Sequence, residues 1–460
     1  RLRTRGLFSS SDGKIAFFEQ LLSVQKGKAV KELILLFGVA LAAQAELVLY
    51  KCAMIHTADQ VSIKDGQMLV KDGQILEVGT NISHPAGARN VDLGKLQLYP
   101  GLIAAATSLG LTEINAVRAT QDTTEVGDFT PDVEAWVSVN PDSELIPVAR
   151  ANGFTHVLVA PMGGVVNGTS GLIKTSGWGV EDMTVKARAA LHIWWPTLSI
   201  NTRPKESLRD PSKYKSPKDQ TRQREEKIKE IDRFFDQAEA YAKARKADKQ
   251  LEIVPAWEAM LPAVSGKHPI MIHASYERQI TSALKWAAKR GYKIIIASGL
   301  DAWRVADQLA KEKVPVILDT IFRLPQRDTD GHDANFKAAG ILNKAGVKVA
   351  HSVRMGNWGA TEIRNIVYAA ARSMAYGLPR DDALKSITLS PAQILGVDKT
   401  LGSLTPGKEA TFIAVDGDIF DIRSNVKHMW VKGKEVSLQS RHTRLYEKYR
   451  KRPKPEAVKR

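Results

Sequence analysis

Three histidines stand in short apolar runs of a 460-residue chain: His192 in AALHIWW, His273 in PIMIHA and His351 in VKVAHS. Imidazoles converging from three such runs would suit zinc, which takes nitrogen ligands in tetrahedral sites. Each one alone reads equally well as a core histidine whose ring nitrogens are satisfied. The stretch from Thr107 to Trp136 carries Glu113, Asp122, Glu125, Asp128, Asp132 and Glu134. Such carboxylates can hold a hard cation, or, as with Glu125 and Asp128, work as general bases. PMGGVVNGTSGLI, Pro161 to Ile173, reads as a Gly-rich loop in which Asn167 and Thr169 stand among backbone amides able to line an anion or oxyanion site. Against these readings stand the plain ones, a solvated acidic loop and a tight turn.

Regular elements must position these groups. Runs of buried-strand character, GLIAAAT, THVLVAP, AALHIWW, PIMIHA, KIIIAS, VPVILD and VKVAHS, alternate with helical patterns from Gly101 to Ser352. Parallel sheets with crossover helices have this text, and seven such units suggest an α/β fold, a (β/α)8 TIM-like barrel over residues 99–401 with one strand not visible. Between the third and fourth units an insertion spans about 204–250. Within it Lys218–Ala247 places Ile228, Ile231, Phe235, Ala238 and Tyr241 at helical spacing amid charge, which predicts one long amphipathic helix. Two β-rich segments bracket the barrel, residues 46–98, with Asp72-Gly73 as a hairpin turn, and residues 402–437.

The run LYPGLIAAATSLG, Leu98 to Gly110, resembles the first barrel strand of the amidohydrolase superfamily, metal-dependent hydrolases of C–N bonds whose usual text is PGLIDxHxH. SMAYGLPRDDALKSITLSPAQILGVDKTLGSLTPGKEATFIAVDGD resembles the family's closing segment, and EVGDFTPDVEAWVSVNPDSELIPVARANG is similar to a secreted, imidazolonepropionase-like subgroup. The resemblance runs from about Ala53 to Val436. It implies a barrel with a small composite β-sandwich domain from both chain ends. It also implies a divalent metal at the C-terminal mouth, held by two His of the first strand, often a Lys or Glu of the fourth, a His each on the fifth and sixth and an Asp on the eighth. Such a metal lowers the pKa of bound water to about 7.

The matching positions depart from that pattern. The first-strand pair falls on Ala106 and Ser108, the sixth-strand ligand on Ser298 and the eighth-strand Asp on about Arg354; His273 alone matches. Alanine cannot ligate, and serine is a poor zinc ligand, which leaves Ser108 as a substrate contact. A zinc site would therefore need His192 and His351 beside His273. Arg354 repels a cation and attracts a carboxylate or phosphate through paired hydrogen bonds. Two readings stay open. One is a hydrolase acting on non-peptide or dipeptide-like carbon–nitrogen bonds of a small substrate through an atypical metal site. The other is a metal-free, catalytically inactive barrel that binds a small anion.

The net charge of +16 is concentrated at the ends: residues 1–32 supply +4 and residues 441–460 supply +7. Lacking aromatic stacking platforms, the basic tail at 438–460 reads as solvated rather than as a nucleic-acid partner. The partner expected is a small-molecule substrate, with a homo-oligomer left open. Cys52 is the only cysteine, so no internal disulfide exists, and it reads as a buried thiol. Residues 1–45 read as a leader: Lys28 and Lys31 precede the apolar run Leu33–Ala43, and Ala43-Gln44-Ala45 has the small-x-small form of a signal-peptide cleavage site. Its eleven apolar residues fall short of the about 20 that span a bilayer. These features predict export to the periplasm or beyond without stable membrane insertion, and a mature chain starting at Glu46. Mass spectrometry of protein recovered from its source checks this, and a mature chain that retains Leu33–Ala43 would contradict it.

Overall fold

Residues too apolar to face water on either side form a sheet buried on both faces. All six residues of Leu102–Thr107 are buried, as are all six of Phe154–Val159. The computed structural model describes residues 46–319 and 321–453; the leader expected at 1–45 lies outside them. Eight strands follow one another around a nearly closed barrel in chain order: Leu102–Thr107, Phe154–Val159, Val166–Lys174, Thr184–Trp194, Ile270–Ala274, Ile294–Ser298, Val316–Leu318 and Val349–His351. Alternation sorts their side chains. Met271, Ile295, Ala297, Ile317 and Ala350 fill the interior, while Ile270, Ile272, Ile294, Ile296, Val316 and Leu318 pack outward with Ile280, Ala283 and Leu284 of the helix Glu277–Arg290.

The strand not visible in the sequence begins within the Gly-rich stretch expected as a loop: residues 161–165 are irregular, with Gly163 and Gly164 left-handed, but the rest is extended. Val166–Lys174 is a nine-residue strand, and it runs antiparallel to both neighbours. Its glycines answer a packing need rather than a turn. A Cβ on Gly171 would stand 2.5 Å from the Trp136 ring, and one on Gly168 would stand 2.4 Å from the Val133 carbonyl oxygen. The acidic stretch lies directly on this strand, with bridges from Phe129 to Val166 and from Glu134 to Thr169.

No backbone ladder joins the first strand to the eighth. The Ser352 hydroxyl crosses the gap instead, donating to Ala106 O at 2.8 Å and accepting from Ala106 N at 3.2 Å. Beside it the segment Ser386-Ile387 offers its carbonyls to both edges, accepting from His351 N and Ile103 N at 3.0 Å each.

The predicted long helix is Pro217–Ala247. Ser216 caps it by accepting from Asp219 N, Pro217 starts it, and Ile231, Phe235 and Ala238 are buried. Two further sheets stand outside the barrel. One joins Leu47–Lys51, Gln67–Lys71, Gln74–Gly79 and Arg89–Asp92, with the Asp72-Gly73 turn at φ 50° and 77°. In the other, Gln97–Pro100 pairs antiparallel with Phe412–Val415, so segments from both ends of the barrel share one sheet. Tyr50, Phe412 and Trp430 pack between the sheets, with Tyr50 edge-on to Phe412 at 5.1 Å. Cys52 is buried there, and burial pushes its thiol up to about 11. The tail read as solvated contains a fully exposed helix, Arg441–Arg450, where Ser440 and Thr443 form a capping box and Arg444 reaches Glu144 at 3.2 Å. Among the described residues no helix is long and apolar enough to cross a membrane.

The seam yields a stability test. Ser352→Ala leaves the buried N–H and C=O of Ala106 without their partner and should cost about 1–3 kcal/mol, seen as a lower urea midpoint at unchanged m-value. An unchanged midpoint would show that the seam does not rely on this hydroxyl.

Candidate functional site

Inside the barrel the strand alternation gathers polar groups on the fourth and fifth strands. Leu191, Ile193, Ile270 and Ile272 face outward, so His192, Trp194 and His273 face in. Register sets Trp194 opposite His273, and their rings stack with centroids 4.2 Å apart and planes 6° from parallel. His192 Nδ1 lies 2.9 Å from His273 Nε2. Burial pushes His273 down to about 3 and His192 well below its ordinary range, the latter lowered further by the His273 charge. Both rings are therefore neutral near pH 7, and a single proton lies between them. Whichever ring donates it, the pair presents one outward N–H and one outward lone pair.

Those outward atoms have no partner among the described residues. His192 Nε2, His273 Nδ1, Trp194 Nε1 and both amide atoms of Asn167 are buried without a hydrogen bond. Val166 pairs with Ile193 and Thr169 with Leu191 across a bulge, which sets Asn167 opposite His192. A buried donor or acceptor left unpaired costs about 1–3 kcal/mol. Five in one region mark a place where water or a ligand supplies the missing partners.

His351 does not join this pair. Its neighbours in sequence set it on the outer face, where Nδ1 meets Ser386 Oγ at 2.8 Å and Nε2 meets Ser373 Oγ at 2.9 Å. Both ring nitrogens are taken, so His351 does not converge with His192 and His273 as a three-imidazole zinc site would require.

At the mouth, Ala106 is buried and the Ser108 hydroxyl donates to Gly356 O at 2.7 Å, tying down the segment after the eighth strand rather than facing a substrate. Ser298, at the sixth-strand position, is left-handed with φ 74° and donates to Asp319 Oδ2 at 2.7 Å. A non-glycine residue held there stores strain, which commonly accompanies a functional placement. Arg354 is exposed just beyond the eighth strand and forms no ion pair among the described residues. These donors do not fit the metal the resemblance implies. His192 and His273 offer two nitrogens, and among the described residues no third His, Cys, Asp or Glu joins them, whereas catalytic zinc takes three protein ligands.

The other expected residues separate. Asp128 is exposed and pairs with Lys227 of the long helix at 2.5 Å, Glu125 is exposed, and Thr169 Oγ1 donates to Val133 O at 3.3 Å. A cleft of about 790 Å³ opens above the barrel among the loops after strands four to seven, lined by Thr197, Asn201, Tyr276, Glu277, Asp301 and Arg327 among others. Arg327 there lies 3.2 Å from both Glu277 and the buried Asp301. Sequence reasoning passed over Trp194, Asp301, Arg327 and Asp319. For Asp319 a signal existed, since VPVILD ends in a carboxylate at the C-terminal end of a barrel strand, where barrel enzymes place chemistry.

Residues 165–436 match the model of the amidohydrolase family. A crystal structure of an amidohydrolase from Thermotoga maritima MSB8 superimposes with a TM-score of 0.72 at 27% identity, covering 85% of this chain and 99% of that one. A putative N-acetylgalactosamine-6-phosphate deacetylase of Escherichia coli K12 is 30% identical over 157 residues, which are 32% of this chain and 85% of the relative. An N-acetylgalactosamine-6-phosphate deacetylase of Escherichia coli O157:H7 matches at the same identity over 38% of its length.

Four buried histidines give the protein a definite response to acid. Burial lowers His156 and His273 to about 3, His351 to about 4 and His192 further below its ordinary range. Below pH 6.5 the unfolded chain takes up protons that the folded chain refuses, so stability should fall as pH drops from about 6.5 towards 4. Each histidine can contribute up to about 1.4 kcal/mol per pH unit. Urea midpoints measured across this window should fall steeply, with a shallower slope for His156→Gln; midpoints independent of pH would contradict the buried neutral rings.

Proposed function

We infer, for a chain that belongs to the amidohydrolase family, that the barrel mouth hydrolyses a C–N bond of a small non-peptide or dipeptide-like substrate, with a carboxylate in place of a metal-bound hydroxide as the base. The observation that carries this reading is the Ser298–Asp319 pair: where the family pattern sets a metal ligand, a strained serine orients a carboxylate at the end of the seventh strand. Asp319 takes a proton from water as the oxygen attacks the carbonyl carbon, and returns it to the nitrogen as the C–N bond breaks. The Asn167 amide, buried and without a protein partner, is suited to donate to the oxyanion that forms. The relatives named as deacetylases of N-acetylgalactosamine-6-phosphate support C–N hydrolysis as the reaction class.

A second reading, a catalytically inactive barrel binding a small anion, is favoured by Ala106, by the Ser108 hydroxyl held on Gly356 and by the unpaired Arg354.

Amine release from a panel of N-acetylated amino acids and dipeptides, followed with fluorescamine, separates the two. On the hydrolytic reading Asp319→Asn lowers kcat by about 10²–10⁴-fold with the fold intact. Absence of turnover in the wild type, with anion binding weakened by Arg354→Ala, would establish the binding protein. Elemental analysis of untagged protein adds a third outcome: stoichiometric zinc lost on His273→Ala would overturn the metal-independent reading.

A further inference from the structure

Beside the mouth lies a second cleft, of about 500 Å³, between the loop after the fourth strand and the start of the long helix. Its walls carry Arg203, Lys213, Tyr214, Lys215, Arg224 and Lys227, and no carboxylate lines it. Two of the five cations have acidic partners outside the cleft: Lys227 pairs with Asp128 and Glu230, and Lys213 lies 3.7 Å from Asp210. Arg203, Lys215 and Arg224 form no ion pair among the described residues. Neutral amides hold two of these in place, Lys215 Nζ donating to Gln223 Oε1 at 2.9 Å and Arg224 Nη2 to Gln220 Oε1 at 3.3 Å. Gln220, Gln223, Arg224 and Lys227 follow the three- and four-residue spacing of one helix face, so the cations are presented together.

Arg224 is the informative member. Its Nη1 is buried and has no hydrogen-bond partner, although a guanidinium cannot shed its charge to escape that cost. Bringing like charges together without counter-ions is unfavourable, and the arrangement makes chemical sense when an anion completes it. Arg224, Thr197 and Asn201 also line the mouth cleft, so the two spaces adjoin.

We propose that this cleft binds a doubly charged oxyanion group, phosphate or paired carboxylates, of a small molecule whose remainder extends into the mouth. Arg224 receives two oxygens through its fork, Arg203 and Lys215 neutralise the remaining charge, and Tyr214 walls the site. The extension into the mouth rests on the hydrolytic reading; the anion site does not.

Calorimetric titration of the untagged protein with inorganic phosphate, and separately with succinate, tests it. Saturable binding of phosphate alone assigns a phosphate, and binding of succinate alone assigns a dicarboxylate. In either case Arg224→Ala should weaken binding by roughly tenfold or more, Arg224→Lys by less, and added salt should weaken it in the wild type. Urea midpoints equal to wild type would show that these variants fold. No saturable binding of either anion at millimolar concentration, or binding unaffected by Arg224→Ala in a folded variant, overturns the proposal. The same titration on Asp319→Asn keeps the two claims apart. Anion binding should persist there, and if Asp319→Asn also left turnover unchanged, the hydrolytic reading alone would fall.

Discussion

An eight-stranded barrel has to satisfy the free edges of its first and last strands, and here one hydroxyl and two carbonyls do so. Ser352 grips both polar atoms of Ala106, and Ser386 and Ile387 accept from the two edges. Much of the mouth is arranged around that join. The segment that continues from Ser352 carries Arg354 to the rim and brings Gly356 under the Ser108 hydroxyl. Ala106 is buried at the join, so an imidazole at this position would have to displace the groups packed around it. Ala106 and the side-chain closure of the seam thus occupy the same few ångströms.

The interior holds its polar groups in fixed directions with little charge. A bound cation would polarise its neighbours and keep its ligands in fixed directions. The neutral His192–His273 pair keeps direction without charge, with Trp194 stacked on one ring and a single proton between the two. Outside the lumen the cleft around Arg224 gathers cations, whereas Arg327 is balanced by Glu277 and Asp301. The protein thus combines a nearly uncharged barrel lumen with a strongly charged rim.

Seven of the eight barrel strands could be read from the sequence because burial on both faces writes a continuous apolar run such as KIIIAS or PIMIHA. The long helix was legible for the opposite reason, a single apolar stripe from Ile228 to Tyr241 amid charge. Val166–Lys174 was not, because the features that signal a turn, its glycines and small polar residues, here let Trp136 and Val133 approach the strand. The site was harder. His351 and His273 have the same apolar surroundings in sequence, and only the parity of their strands decides that one faces the helices and the other the lumen. Ser298–Asp319 joins residues 21 apart in sequence, each unremarkable alone.

The reversed third strand bears on how the chain finds its fold. Strands two, three and four form an antiparallel meander within residues 154–194, joined by short connections whose closure costs little entropy. The Ser352–Ala106 join, by contrast, links residues 246 positions apart. Where local pairings precede distant ones, the meander nucleates and the parallel strands add to it in order, so that closure of the barrel comes last. Until then the edges of the first and eighth strands are open to pairing with another chain. The late, side-chain-mediated join therefore makes aggregation during refolding a hazard set by topology, and one that grows with protein concentration whatever the stability of the finished barrel.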